Sequence, residues 1–245
     1  MRLPQLARDS LEFPPTSEAL TDPNGLLAFG GDLSIKRLLA AYRLGIFPWF
    51  NPGQPILWWS PDPRTVFVPE EIHCSRSMQK FLRQTAWQVT IDVCFSRVVD
   101  ACAETRANSS GTWITAQMKS AYNRLHEAGY AHSVEVWDGG DLVGGIYGLA
   151  LGKTFFGESM FSAATNSSKT ALIRFCRFLH NHGFALFDAQ VASDHLFTMG
   201  ARTIPRSLFE EYLADACREE CVEDMQTTWH AARKKLISDD GHLLD

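Results

Sequence analysis

Residues 132–191 read HSVEVWDGGDLVGGIYGLALGKTFFGESMFSAATNSSKTALIRFCRFLHNHGFALFDAQV, and this stretch decides the fold. Its first half holds short apolar runs broken at Gly139-Gly140 and at Leu151-Gly152-Lys153. These are hairpin separators between three or more strands, and the paired glycines are the stronger turn signal. SSKTALIRFCRFLHNHG then changes to helical spacing. Leu172, Phe175, Cys176 and Leu179 share a face, serines at the start read as a cap, and Gly183 closes the helix. FALFDAQV follows as a short strand. Strand, helix and strand in this order predict a right-handed crossover onto a mixed sheet.

Upstream, the pattern from Arg64 is one of alternating helices and strands. A basic helix spans about Ser75 to Arg83, and a strand runs from Trp87 to Asp92. A helix follows near Phe95 to Glu104, and then the polar loop RANSSG. Thr115 begins another helix, with Met118, Tyr122 and Leu125 as its apolar stripe and Gly129 at its end. The opening segment to Asp62 is rich in Pro, Gly and Trp and contains one clear helix, which Ser34 caps. Leu38, Leu39 and Tyr42 recur there at helical spacing, and Gly45 suits the left-handed residue after the last turn. In NPGQPILWWSPDPR the prolines forbid a long helix, and the tryptophans need a surface to cover. Downstream, RSLFEEYLADACREE reads as one helix. The residues from about Cys221 are charged and weakly patterned, so partial disorder is expected there.

The expectation is an α+β chain. A small N-terminal α+β domain occupies residues 1–62, and a larger domain with a mixed central sheet flanked by helices occupies 63–245. A chain of 245 residues can bury real cores without disulfides. Its six cysteines are scattered with no CxxC pair, as expected for reduced thiols. The first twenty residues carry charge and proline where a secretory signal needs an apolar run, and no later run has the length of a membrane span. A cytoplasmic protein is the expectation. The net charge of −5 comes mainly from the tail, where Glu210 to Asp245 hold 10 acidic against 4 basic residues. The rest of the chain is near neutral, which leaves room for a local basic face.

Several catalytic signatures are absent: GxxxxGK[ST], GxSxG and HExxH. Only His180 and His182 stand close enough to pair as ligands, and they flank a helix end, where capping is the simpler role. No metal site is expected. Strand alternation puts Asp188 and Gln190 of FDAQV on one face, where burial demands polar partners. They can satisfy each other and a nearby loop, or serve a reaction. The same parity groups Phe156, Glu158 and Met160 in FFGESMF. Glu158 is then either an edge-strand residue in water or a carboxylate at the lip of an apolar pocket, able to bind an amine or a basic side chain. Arg76, Lys80 and Arg83, at i, i+4 and i+7, form one positive helix face, which is an ordinary solvated surface or a phosphate contact.

Taken together, GLLAFGGDLS, RLGIFPWF, ILWWSPDPR, GTWIT, HSVEVW, LVGGIYG, FFGESMFS, SKTAL and FDAQ resemble the leucyl/phenylalanyl-tRNA-protein transferase family from about Asn24 to Pro205. The resemblance implies an N-acetyltransferase-like (GNAT-like) larger domain. It also implies transfer of Leu, Phe and less readily Met from aminoacyl-tRNA to proteins that begin with Arg or Lys, which marks them for degradation. No metal or nucleotide cofactor is implied.

By the same resemblance, Trp49 and Trp113 hold the terminal adenosine of the tRNA. Ile146, Phe155, Met160, Leu172 and Phe175 form the amino-acid pocket. Asp188, Gln190 and Glu158 form the catalytic set, and Arg76, Lys80 and Arg83 touch the acceptor stem. Ile146 stands where the family often has Met, and Gln79, Leu82 and Gln84 thin the basic helix. The expected partners are aminoacyl-tRNA and acceptor proteins, and the expected state is a monomer.

One alternative is an acyl-CoA N-acetyltransferase of the same fold, but it needs a glycine-rich pyrophosphate turn where this chain has SAATNS. A cell-wall aminoacyltransferase usually carries a much longer chain. A non-catalytic module that binds tRNA ends or peptides would not require the whole set of polar residues.

Overall fold

The structure, a computed structural model, describes residues 3–107 and 112–244; for 219–224 the side chains are not described. Four short strands form a first sheet: β1 (Gln5–Leu6), β2 (Leu26–Gly30), β3 (Phe47–Pro48) and β4 (Leu57–Trp59), in the order β1-β2-β4-β3. The helix α1 (Ile35–Arg43) lies between β2 and β3. Ser34 caps it by accepting from the Arg37 amide, and Gly45 leaves it at φ 70°. Most strands of this sheet are too short to show a period in the sequence.

The second sheet begins with β5 (Arg64–Phe67). The elements that follow are α2 (Arg76–Gln84), β6 (Gln88–Ile91), α3 (Phe95–Ala107) and α4 (Ala116–Glu127). Of the polar loop RANSSG, residues 108–111 lie outside the described residues. Next come β7 (Ala131–Asp138), β8 (Asp141–Leu151), β9 (Thr154–Ser162), α5 (Ser167–Asn181) and β10 (Leu186–Gln190). The chain ends with α6 (Asp194–Thr198), β11 (Arg202–Ile204), α7 (Arg206–Ala216), α8 (Glu219–Ala232), β12 (Leu236–Ile237) and β13 (Leu243–Leu244).

The strand order is β11-β5-β10-β9-β8-β7-β6-β12-β13. Both expected hairpins are present. Asp138 pairs with Asp141 around Gly139-Gly140, and Leu151 pairs with Thr154 around Gly152-Lys153. The β9–β10 pair is parallel and is bridged by α5, whereas the other pairs are antiparallel. This is the expected mixed sheet with helices on both faces. On one face α1, α3 and α4 bury Leu38, Tyr42, Val98, Met118, Tyr122 and Leu125 against Tyr147, Leu149 and Phe156. On the other, α5 buries Ala171, Leu172, Phe175 and Phe178 against Ile146, Phe155 and Phe187.

Three expectations are corrected. The N-cap of α5 is not one of the serines at its start but Asn166, at φ 75° and without a side-chain cap bond, and the Ser168 amide donates to the hydroxyl of Ser162 upstream. The helix after Pro205 stops at Ala216, and a second starts at Glu219. The tail is also not loose, because Trp229, Ala232 and Ile237 are buried in the core. Trp229 is 3% exposed, stacks on His132 at 3.9 Å and meets Phe155, Phe175, Phe178 and Phe184, while β12 joins the sheet beside β6. Asp239 pairs with Arg174, which also donates to the Trp87 carbonyl. Among the described residues no helix is long and apolar enough to cross a membrane.

Trp229→Ala should therefore cost about 3–5 kcal/mol of stability in urea unfolding, the usual cost of emptying a large aromatic site. A change too small to measure would mean that the tail is not part of the core.

Candidate active site

Hydrogen bonding between β9 and β10 runs from Leu186–Thr154 to Asp188–Phe156 and then ends, although both strands continue. Each strand is irregular just beyond that point. On β9 the pairing with β8 steps from Gly157 to Ser159, so Glu158 is a bulged residue. On β10 the pairing with β5 steps from Asp188 to Gln190, which takes φ 63°. A bulge bends its strand and turns the next side chains over. Gly148 and Gly157 face each other there, and no side chain fits at the first: a Cβ on Gly148 would meet the Phe156 carbonyl oxygen at 2.1 Å.

A cavity of about 380 Å³ lies at the parted strands. From β9 it is lined by Gly157, Glu158, Ser159 and Met160, and from β10 by Ala189 and Gln190. Trp49, Trp113, Ile146, Phe67, Phe187 and Arg106 complete most of the wall. Trp49 is 42% exposed at the mouth and packs against Trp59, whose indole donates to the Trp49 carbonyl at 2.7 Å. Arg106 lies over the Trp113 ring and donates to the Ser159 hydroxyl at 2.9 Å.

The bulge overturns the grouping of Phe156, Glu158 and Met160. Phe156 packs with the α1 and α4 side, and Met160 with the α5 side. Glu158 is not an edge residue in water but a central one, 6% exposed. Its Oε1 lies 2.6 Å from the Tyr42 hydroxyl and 2.8 Å from the Gln190 amide nitrogen, and its Oε2 lies 2.6 Å from the Tyr122 hydroxyl. Burial pushes the Glu158 carboxyl up to about 7. The contacts with Tyr122, Tyr42 and Gln190 pull it down, and the charge of Asp188 adds to the rise.

Asp188 and Gln190 do meet, but through the backbone. Asp188 Oδ1 accepts the Gln190 backbone N–H at 2.9 Å, which fixes the left-handed residue. Both Asp188 oxygens are also gripped by Arg64, at 2.8 and 2.7 Å. Neither side chain of that pair touches solvent. Arg64 donates further to the Gly45 carbonyl and lies between the Phe47 and Phe209 rings. The Gln190 side chain gives its N–H to Glu158. Its carbonyl oxygen has no protein partner among the described residues, and the residue lines the cavity.

Comparison with known proteins gives a consistent picture. The family model for leucyl/phenylalanyl-tRNA protein transferase matches residues 66–214, and the model for the N-terminal domain of the same transferase matches 31–62. A leucyl/phenylalanyl-tRNA--protein transferase of Pseudomonas fluorescens (strain SBW25) is 59% identical over 210 residues, 86% of this chain and 93% of that one. The protein of the same name from Cellvibrio japonicus (strain Ueda107) is 57% identical over 228 residues, 93% of this chain and 96% of that one. The chain belongs to the leucyl/phenylalanyl-tRNA protein transferase family. It is therefore an aminoacyltransferase that moves an amino acid from aminoacyl-tRNA to the N-terminus of a protein.

Of the residues singled out through the transferase resemblance, Trp49, Trp113, Ile146, Met160, Glu158 and Gln190 line the one cavity. Phe155, Leu172 and Phe175 do not. They are fully buried behind it, where Phe155 and Phe175 pack on Phe187, which does line the wall. Arg76, Lys80 and Arg83 lie exposed on α2 and do not line the cavity, with Met78 and Leu82 buried on the same helix. The sequence reading missed Arg64, Tyr42, Tyr122 and Arg106. The two tyrosines were counted in apolar stripes, yet a buried tyrosine hydroxyl needs a partner, and that was the available signal.

The fold also assembles a group that spacing did not suggest: Asp92, His126 and His132. Its Nδ1 atoms are committed, His132 to Asp92 at 2.8 Å and His126 to the Ala131 carbonyl at 2.7 Å.

Two outcomes follow for this transferase. Arg64→Met leaves Asp188 buried without its cation and should cost about 3–5 kcal/mol in urea unfolding. Glu158 has a folded pKa above its ordinary value, so its favourable contribution is complete below about pH 4.5 and is lost as pH rises through 7. Between those limits the wild type should lose on the order of 3 kcal/mol more stability than Glu158→Gln. Parallel unfolding curves across that range would contradict the shift.

Proposed function

We propose that the cavity seats the aminoacylated 3′ end of Leu- or Phe-tRNA (Met-tRNA less readily) beside the N-terminus of a protein that begins with Arg or Lys. The observation that carries this reading is the convergence of Trp49, Trp113, Ile146, Met160, Glu158 and Gln190 on one open space. Trp49 and Trp113 offer planes for the terminal adenine, a sequence-tolerant contact suited to a single-stranded end. Ile146, Met160, Phe67 and Phe187 offer an apolar wall to a side chain that is not branched at Cβ, with Phe155, Leu172 and Phe175 holding that wall from behind. Shape then disfavours β-branched donors.

The ester is already activated, so the chemistry needs little acid or base strength. An α-amine with a pKa of roughly 7.7–8 is partly neutral at working pH. Its nitrogen attacks the ester carbonyl carbon, the bond to the ribose oxygen breaks, and the proton lost from nitrogen ends on that oxygen. Gln190 is the positioning acceptor, because its amide N–H is held by Glu158 and its carbonyl oxygen is left for the amine. An amide is too weak a base to remove the proton outright. Asp188, fixed by Arg64, sets the Gln190 backbone. Glu158 faces the acceptor's basic side chain, and the exposed Arg76, Lys80 and Arg83 contact tRNA phosphates. The transferase acts as a cytoplasmic monomer, and its tag marks the acceptor for degradation.

The direct test is transfer of labelled Phe from Phe-tRNA to a peptide beginning with Arg, with acetyl-CoA as the control donor. Trp49→Ala and Trp113→Ala should each raise the KM for Phe-tRNA by roughly 5- to 150-fold, the equivalent of about 1–3 kcal/mol per stacked base. Gln190→Ala should lower kcat while leaving that KM nearly unchanged. Wild-type kcat in a folded Gln190→Ala enzyme would remove Gln190 from the reaction.

A further inference from the structure

The Tyr42 and Tyr122 hydroxyls and the two Glu158 oxygens make three close contacts, which the carboxyl carbon closes into a ring. The Tyr42 and Tyr122 hydroxyls are 2.6 Å apart, and each is 2.6 Å from one Glu158 oxygen. Every such short oxygen–oxygen contact requires a proton between its atoms, because two lone pairs at that separation repel. Two tyrosines supply two protons for three contacts. The third cannot come from the other polar neighbours. Gln190 spends its N–H on Oε1 outside the ring of oxygens, and the Tyr147 hydroxyl is buried without a hydrogen-bond partner among the described residues.

We infer that Tyr42 and Tyr122 are positioning residues that close a hydrogen-bonded ring with Glu158 and hold its carboxyl in the neutral, proton-bearing form in the free enzyme. Around the ring, Glu158 Oε2–H donates to Tyr122, Tyr122 donates to Tyr42, and Tyr42 donates back to Oε1, which also accepts from Gln190. Each contact then has one proton.

The charged and titratable groups on every side agree with a neutral acid. Tyr42 faces Glu158 from α1, Tyr122 from α4 and Tyr147 from β8. Burial holds all three hydroxyls well above their ordinary pKa, so they stay protonated. From β10 comes Asp188, a negative charge that Arg64 of β5 already neutralises. Arg106 of α3 is engaged next door with Ser159 and Trp113. No cation contacts the Glu158 carboxyl among the described residues.

A consequence rests on the proposed reading of Glu158 as the group that faces the acceptor's cation. The arriving Arg or Lys side chain favours the carboxylate, so the Oε2 proton departs to solvent as the acceptor docks. With two protons left for three contacts, the Tyr42–Tyr122 contact must open. The ring thus keeps Glu158 uncharged in the empty site and makes its negative charge available to a cationic N-terminus.

Infrared difference spectra between wild type and Glu158→Gln read the carboxyl directly. At about pH 6 they should contain the carbonyl-stretch band of a protonated acid, and at about pH 9 that band should be gone. Tyr42→Phe keeps the packing and should move the band to higher frequency, since Oε1 then accepts one hydrogen bond instead of two. A hydroxyl that only filled space would leave it in place. Tyr122→Phe is the second variant should the first not fold. A carboxylate band alone at about pH 6, or a band unmoved in both variants, overturns the ring.

Saturating a peptide that begins with Arg at the same pH should erase the band, whereas a peptide beginning with Ala should not. A band that persists with both peptides leaves the ring intact and removes Glu158 as the acceptor's counter-ion, so the two ideas fail separately.

Discussion

Hydrogen bonding between β9 and β10 stops at Phe156 and Asp188, and the chemistry-bearing side chains stand just beyond that point. A sheet that stayed paired would bring the strands too close for a ligand. Here one bulge on each strand parts them, and the space between is walled by Gly157 to Met160 on one side and Ala189 to Val191 on the other. The parallel crossover through α5 makes the arrangement possible, since it brings β10 alongside β9 in the same direction. The aromatic packing of Phe155, Phe175 and Phe187 backs the last paired residues of the two strands, and Phe187 continues into the cavity wall.

Two buried carboxylates beside this opening are managed in opposite ways. Asp188 is fully ion-paired with Arg64, and its remaining lone pairs take a backbone N–H, so it is a fixed charge that shapes β10. Glu158 has hydroxyls and an amide but, among the described residues, no cation, and the same burial raises its pKa to about 7. The contrast assigns the roles. Arg64 and Asp188 hold the geometry of β10, while Glu158 is free to change charge with its surroundings.

Much of the frame could be read in the residues. Gly139-Gly140, the stripe of Leu172, Phe175, Cys176 and Leu179, and the capping Ser34 and Thr115 are local signals, and local signals survive folding. The site was read less well because its determinants are one residue long or far apart in sequence. An extra residue at Glu158 reverses strand parity without altering the pattern of apolar residues, so Phe156 and Met160 were placed together when they lie on opposite faces. Tyr42 and Tyr122 count as apolar in a helical stripe until the fold shows where their hydroxyls end. Trp229 was hidden by the charges around it. Phe155, Leu172 and Phe175 came from resemblance, and their parity and spacing could not tell a pocket wall from the layer behind it.

The N-terminal sheet is a working part of the site rather than an appendage. It places Trp49 on the cavity mouth through β3 and the Trp59 hydrogen bond, and α1 carries Tyr42 into the ring around Glu158. The Gly45 carbonyl, at the end of α1, also accepts from Arg64, so the turn that follows Tyr42 is tied to the same cation that fixes Asp188. Separating the two sheets would therefore uncover a face of the cavity, open the Glu158 ring and leave Arg64 one acceptor short. For a reaction whose ester is already activated, most of the available acceleration lies in orientation and exclusion of water. A site assembled from both sheets supplies orientation because Tyr42, Tyr122, Glu158 and Gln190 are hydrogen-bonded to one another.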